Sequence, residues 1–149
     1  MVSLDMARKS IRRTDSAYFV VLSNREMVKK YFKLISEKDI RGLLQLFDQD
    51  AVVYEPFSNI KSGLHGKTTI ENFLRVVVMT NAGFKRTIRF VDESEDRITA
   101  IVTFERGDSI TGKFAFSFII TTNSEGVQVG KRIGMLRIEF KHFLVERFC

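Results

Sequence analysis

Residues 28–56 read VKKYFKLISEKDIRGLLQLFDQDAVVYEP. The spacing of the apolar side chains changes along this stretch. Met27, Val28, Tyr31, Phe32, Leu34 and Ile35 recur at helical spacing, while Lys29, Lys30 and Lys33 take the opposite face. Ser23 is followed three residues later by Glu26, the pattern of a capping box, so the spacing predicts a helix over about 24–37. Asp39 then caps a shorter helix whose stripe is Ile40, Leu43, Leu44 and Phe47, and Asp48-Gln49-Asp50 breaks it. DAVVYEPF, residues 50–57, follows as a short strand, with Val53 and Glu55 on one face and Pro56 as its end. Glu55 has two readings: a strand-end acid reaching water beside a Lys or Arg, or a carboxylate aimed into an apolar pocket.

Outward from this stretch the pattern stays regular. Residues 56–66 read as a loop, and residues 67–80 as a third helix with Ile70, Phe73, Leu74 and Val77 inward. Asn81-Ala82-Gly83 stops it. Strands are expected over about 84–91, 97–105, 110–122 and 127–140, joined by short charged or glycine-bearing turns. In ITGKFAFSFIITT, alternation puts Phe114, Phe116 and Phe118 on one face. Helices first and strands afterwards predict an α+β domain, with helices on one face of an antiparallel sheet. Residues 1–22 read as a basic extension and residues 23–149 as one domain.

Composition narrows the function classes. With 149 residues and 44% apolar side chains, the chain suits a single sizeable core and not a disordered segment. Fourteen phenylalanines and no tryptophan point to a dense aromatic core or an apolar cavity. One cysteine and two distant histidines exclude an internal disulfide framework and predict no metal site. A reducing, cytoplasmic setting is expected. The net charge of +6 is mild, and half of it sits in residues 1–25, where five basic residues face two acidic ones. Nucleic acid is therefore not the expected partner, although Arg8, Lys9, Arg12 and Arg13 leave open a weaker reading in which the arm binds an acidic partner or nucleic acid. The longest apolar runs are too short to cross a bilayer. AYFVVLS after a basic stretch faintly suggests a signal peptide, but no small-residue cleavage site follows.

The order of elements, with VKKYFKLISEKDIRGLLQLFDQDAVVYEP at 28–56 and GKTTIENFL at 66–74, resembles the NTF2-like superfamily, in particular its SnoaL-like and ketosteroid-isomerase-like members. The resemblance spans about residues 24–140 and is strongest over 28–74. It implies a cone-shaped fold, a curved sheet around helices with an apolar pocket between them, and a homodimer through the outer sheet face. It also implies a small apolar or aromatic ligand and no cofactor. Related pockets host isomerases, cyclases, epoxide hydrolases and dehydratases, and also non-catalytic binding or assembly modules.

Carried over by position, the resemblance makes Glu55, the acid before the proline, a general base, and Tyr31 on the first helix an oxyanion donor. An apolar site raises a carboxylate's pKa, and an oriented phenol stabilises an enolate, so the pair suits isomerisation or cyclisation next to a carbonyl. The isomerases' second acid falls at Phe116, which donates no hydrogen bond, and this departure weighs against steroid isomerisation. Phe57, His65, Phe114, Phe116 and Phe118 are the expected ligand contacts. Each has a plainer reading: Tyr31 as a core tyrosine, His65 as a loop histidine, and the phenylalanines as core. Arg137 and Glu139 share a face of the last strand, and alternation does not tell which face is inside.

Overall fold

The computed structural model describes residues 21–140. Residues 1–20 of the basic extension, His142 and Cys149 lie outside the described residues. Two compact units are present, one of them Ser23–Ile119 with residues 132–140, the other containing Ile120–Lys131.

In the larger unit, α1 (Asn24–Glu37) starts at the expected capping box: Glu26 N donates to Ser23 Oγ at 3.1 Å, and Ser23 N donates to Glu26 Oε1 at 2.8 Å. Lys38 closes it in the left-handed region at φ 59°. Asn24 is buried, and its Nδ2 donates to Ser94 O and Glu95 O, which ties the helix start to the turn before β4 (Arg97–Arg106). The second helix, α2 (Ile40–Leu46), is capped by Asp39, whose Oδ1 accepts from Gly42 N at 2.9 Å. The third, α3 (Lys67–Thr80), buries Ile70, Leu74 and Val78.

The sheet has six strands. Besides β4 they are β1 (Phe47–Tyr54), β2 (Leu64–His65), β3 (Lys85–Glu93), β5 (Asp108–Thr122) and β6 (Gln128–Phe140), in the order β2-β1-β6-β5-β4-β3. The pairs β1–β2, β3–β4 and β4–β5 are antiparallel. The pair β1–β6 is parallel, so the expected antiparallel sheet is in fact mixed. The helix-to-strand switch also comes earlier than expected. Phe47 opens β1 instead of closing α2, and Asp48-Gln49-Asp50 lies inside the strand, where the register against β6 shifts between Phe47 and Val52.

Alternation sets the two faces. Ile98, Ala100, Val102 and Phe104 of β4 are buried, as are Phe114, Phe116 and Phe118 of β5 and Leu136 and Ile138 of β6. Arg137 and Glu139 are exposed on the other face, where the Arg137 guanidinium stacks 4.1 Å from the Tyr54 ring centroid. Lys67 fastens α3 to the α2–β1 junction, its Nζ donating to Leu44 O at 2.8 Å and Phe47 O at 2.9 Å. In the smaller unit Asn123 builds the turn: its Oδ1 accepts from Glu125 N and Val127 N.

Candidate functional site

The inward side chains of α1, α3 and the sheet do not close completely. They leave an apolar cavity of about 250 Å³. One wall is helical, with Tyr31, Phe32 and Ile35 from α1 and Phe73, Val77 and Thr80 from α3. The sheet supplies Phe104, Ile110, Phe114, Ile138 and Phe140, and Asn81, Phe84 and Phe57 come from connecting segments. No charged side chain lines it among the described residues, and its polar side chains are Tyr31, Thr80 and Asn81. Thr80 Oγ1 donates to Val76 O and Val77 O, and Asn81 Nδ2 donates to Val77 O, so both hold the end of α3.

Tyr31 is different. It is 1% exposed, and its ring meets Phe32, Phe47 and Phe116 edge-on, with centroids 5.0, 6.3 and 5.6 Å away. Its hydroxyl has no hydrogen-bond partner among the described residues. Burial pushes the phenol well above the usual tyrosine range, and the facing Arg86 only partly opposes this, so the group stays a neutral donor. Arg86 donates from Nη2 to Phe32 O at 2.9 Å and to Ser36 Oγ. A phenol raised in this way favours the folded state below its unfolded pKa of about 10 and loses that contribution as pH rises further.

The expected contacts divide. Tyr31, Phe57 and Phe114 line the cavity. Phe116 and Phe118 do not: Phe116 is buried beside Tyr31, and Phe118 stacks on Phe116 at 6.2 Å. The place expected to carry a second acid therefore presents a hydrocarbon ring to Tyr31. His65 is exposed in β2, with Nε2 2.7 Å from Ser62 O, away from the lining residues. Glu55 does not line the cavity either. β1 ends at Tyr54, one residue before Glu55, whose Oε2 accepts from Phe57 N at 2.7 Å. That bond shapes the turn which carries Phe57 to the cavity mouth.

The sequence profile of the SnoaL-like domain matches residues 28–141. The chain belongs to the SnoaL-like family. Solved structures agree on an NTF2-like fold for this SnoaL-like chain. An NTF2-like protein of unknown function from Cytophaga hutchinsonii has a TM-score of 0.58 at 11% identity, covering 87% of this chain and 98% of that one. A putative calcium/calmodulin-dependent protein kinase type II association domain from Thiobacillus denitrificans has a TM-score of 0.57 at 12% identity, with 80% and 95% covered. SalBIII, an epoxide hydrolase/cyclase-like enzyme with a role in pyran ring formation in salinomycin, has a TM-score of 0.54 at 16% identity, with 78% and 88% covered. No curated protein matches the sequence. At these identities the likeness shows the fold alone.

One further residue gives this SnoaL-like cavity its room. Gly112 heads the inward row Gly112, Phe114, Phe116, Phe118 of β5 and is buried. A Cβ there would stand 2.9 Å from Phe114 Cε1 and 3.0 Å from Phe140 Cε1, two rings of the wall. A glycine where the alternation calls for a side chain was the visible signal.

Proposed function

We propose that the chain binds a small, neutral, largely apolar molecule in the cavity, with the Tyr31 hydroxyl donating to a single acceptor on it. The buried hydroxyl without a partner among the described residues, in a wall otherwise almost free of polar groups, carries this reading. A buried donor left unpaired costs about 1–3 kcal/mol, and an acceptor on the ligand removes that cost. With no charge in the lining, an ionic ligand would be desolvated without compensation.

A matched pair of probes tests it. Acetylnaphthalene carries a carbonyl, and isopropenylnaphthalene has a methylene in its place. Tyr31→Phe is expected to weaken acetylnaphthalene about fivefold, as loss of one net hydrogen bond of about 1 kcal/mol requires, and to leave isopropenylnaphthalene unchanged. Ligand-free stability should rise by about 1–3 kcal/mol, because the substitution removes the unpaired donor itself and leaves no partner unpaired. Equal losses for both probes would refute the hydroxyl's role.

Proton abstraction by Glu55 is the finer chemistry that the family resemblance suggests, and the bond from Phe57 N–H to its carboxylate counts against it. A purely binding role predicts that Glu55→Gln leaves the affinity for N-phenylnaphthylamine unchanged, since the amide oxygen keeps that bond. A fluorescence titration showing a severalfold change would return Glu55 to the site.

A further inference from the structure

Two polar side chains of the cavity wall stand at the end of α3, and their hydrogen bonds decide what they offer a ligand. Thr80 Oγ1 shares its one proton between Val76 O at 2.9 Å and Val77 O at 3.2 Å, and Asn81 Nδ2 donates to Val77 O at 2.8 Å. Val77 O also accepts from the Asn81 backbone N–H at 3.1 Å. The Asn81 main-chain carbonyl is taken too, accepting from Phe84 N at 3.4 Å. The carboxamide oxygen is what is left. Asn81 is half-buried in the wall, and its Oδ1 has no donor among the described residues. Such an oxygen accepts and never donates. The last carbonyls of α3 add the negative end of the helix dipole, which favours an approaching proton. This is the reverse of Tyr31, where a buried hydroxyl offers a proton.

We infer that Asn81 Oδ1 is a second polar contact of the site and accepts from a hydroxyl or N–H group of the ligand. The ligand class is then narrower: a compact aromatic body with an acceptor for Tyr31 and a donor for Asn81, as in a hydroxyaryl ketone. The wall suits an aromatic body, since eight of its fourteen lining residues are aromatic. The cavity of about 250 Å³ falls just below the roughly 300–1,000 Å³ of sites for drug-sized molecules, which holds the ligand to a small one. A run of edge-on rings joins the two poles. Phe32 lies 5.0 Å from Tyr31 and 6.4 Å from Phe104, and Phe104 lies 6.3 Å from Phe84, which Asn81 holds by its carbonyl. The poles also differ in depth. Tyr31 is 1% exposed and Asn81 is half-buried, so the acceptor end of the ligand enters first and the donor end stays nearer the rim.

This contact rests on the proposed binding function, and one set of probes separates the two. Acetylnaphthalene reports the function. Pairs of its derivatives report the Asn81 contact: one member carries a hydroxyl on the ring remote from the acetyl group, the other a fluorine at the same carbon, close in size but with no proton to give. Each remote position is tried in turn. At one of them the hydroxyl compound is expected to bind about fivefold tighter than its fluorine match, the net worth of one hydrogen bond. Asn81→Leu should erase this preference and leave the acetylnaphthalene affinity within about twofold, since that probe has no proton for Oδ1. The variant strands no acceptor, because Val77 O keeps the bonds from residue 81 N and Thr80 Oγ1. A parent protein that binds acetylnaphthalene but shows no hydroxyl preference at any position overturns the inference and leaves the function standing. That comparison needs no variant, so it decides even if Asn81→Leu fails to fold. A preference that survives in Asn81→Leu overturns the inference as well. If acetylnaphthalene does not bind the parent, the function falls and the Asn81 contact with it.

Discussion

Val77→Phe is expected to abolish most binding of N-phenylnaphthylamine while leaving the protein folded. Val77 lies on the half-buried flank of α3 and lines the cavity one helical turn from both Phe73 and Thr80. Phenylalanine adds four carbons to a space of about 250 Å³ that already has eight aromatic side chains in its lining. Four carbons of lost ligand burial amount to about 3 kcal/mol at roughly 0.8 kcal/mol each, so at least a tenfold weaker dye affinity should appear. Helix propensity changes little between these two residues. The new ring also buries itself in space that the parent leaves empty, so the thermal midpoint should move by only a few degrees. Dye affinity that survives Val77→Phe would place binding elsewhere and remove the cavity from the proposed function. Loss of binding together with loss of near-ultraviolet circular dichroism would report unfolding, and the milder Ile110→Phe at the sheet side of the same cavity would then decide.

The sequence made the elements legible wherever one period ran long enough. The stripe of α1 and its Ser23–Glu26 box fix both ends of that helix, and the alternating phenylalanines of β5 fix its face. Legibility failed where two periods met. Phe47 stands four residues after Leu43, so it extends the helical stripe, yet it also points inward as the first residue of β1. A single buried side chain satisfies both patterns, and the polar Asp48-Gln49-Asp50 after it resembles a helix stop. The parallel pairing of β1 with β6 joins residues more than eighty positions apart, and no local pattern encodes it. Glu55 stands one residue past the end of β1: alternation carried past Tyr54 assigns it a face, while the structure adds the local bond its carboxylate accepts from Phe57 N. The cavity was harder still. Phe73, Phe104 and Ile138 look like ordinary core residues in the sequence, because a wall residue and a core residue have the same periodicity. Tyr31, with its polar tip in an apolar stripe, and Gly112, with its missing side chain, differ from core in residue type, whereas the polar Thr80 and Asn81 read as an ordinary helix end.

Gly63→Ala is expected to be the most destabilising of the single-methyl changes, lowering the thermal midpoint by about 10 °C. Gly63 sits buried just before β2 with φ +86°, a region that costs other residues about 1 kcal/mol or more. A Cβ there would also lie 2.5 Å from Val52 Cγ2 and 3.0 Å from Tyr54 Cε1. Val52 is paired to His65 on one side and Met135 on the other, and Tyr54 carries the Arg137 guanidinium, so neither side chain yields without disturbing β1. Overpacking of this kind adds about 1–3 kcal/mol, giving about 3 kcal/mol in all, and a domain of this size loses several degrees per kcal/mol. Gly107→Ala separates the two causes. Gly107 has φ +83° with nothing among the described residues within 4 Å of a new Cβ, so it should lose only the conformational part, about 1 kcal/mol. Equal midpoints for the two variants in parallel thermal melts would show that β1 yields to the added methyl. The expected larger loss at Gly63 should be matched by weaker dye binding, because the β1–β2 connection holds the turn that sets Phe57 at the cavity mouth.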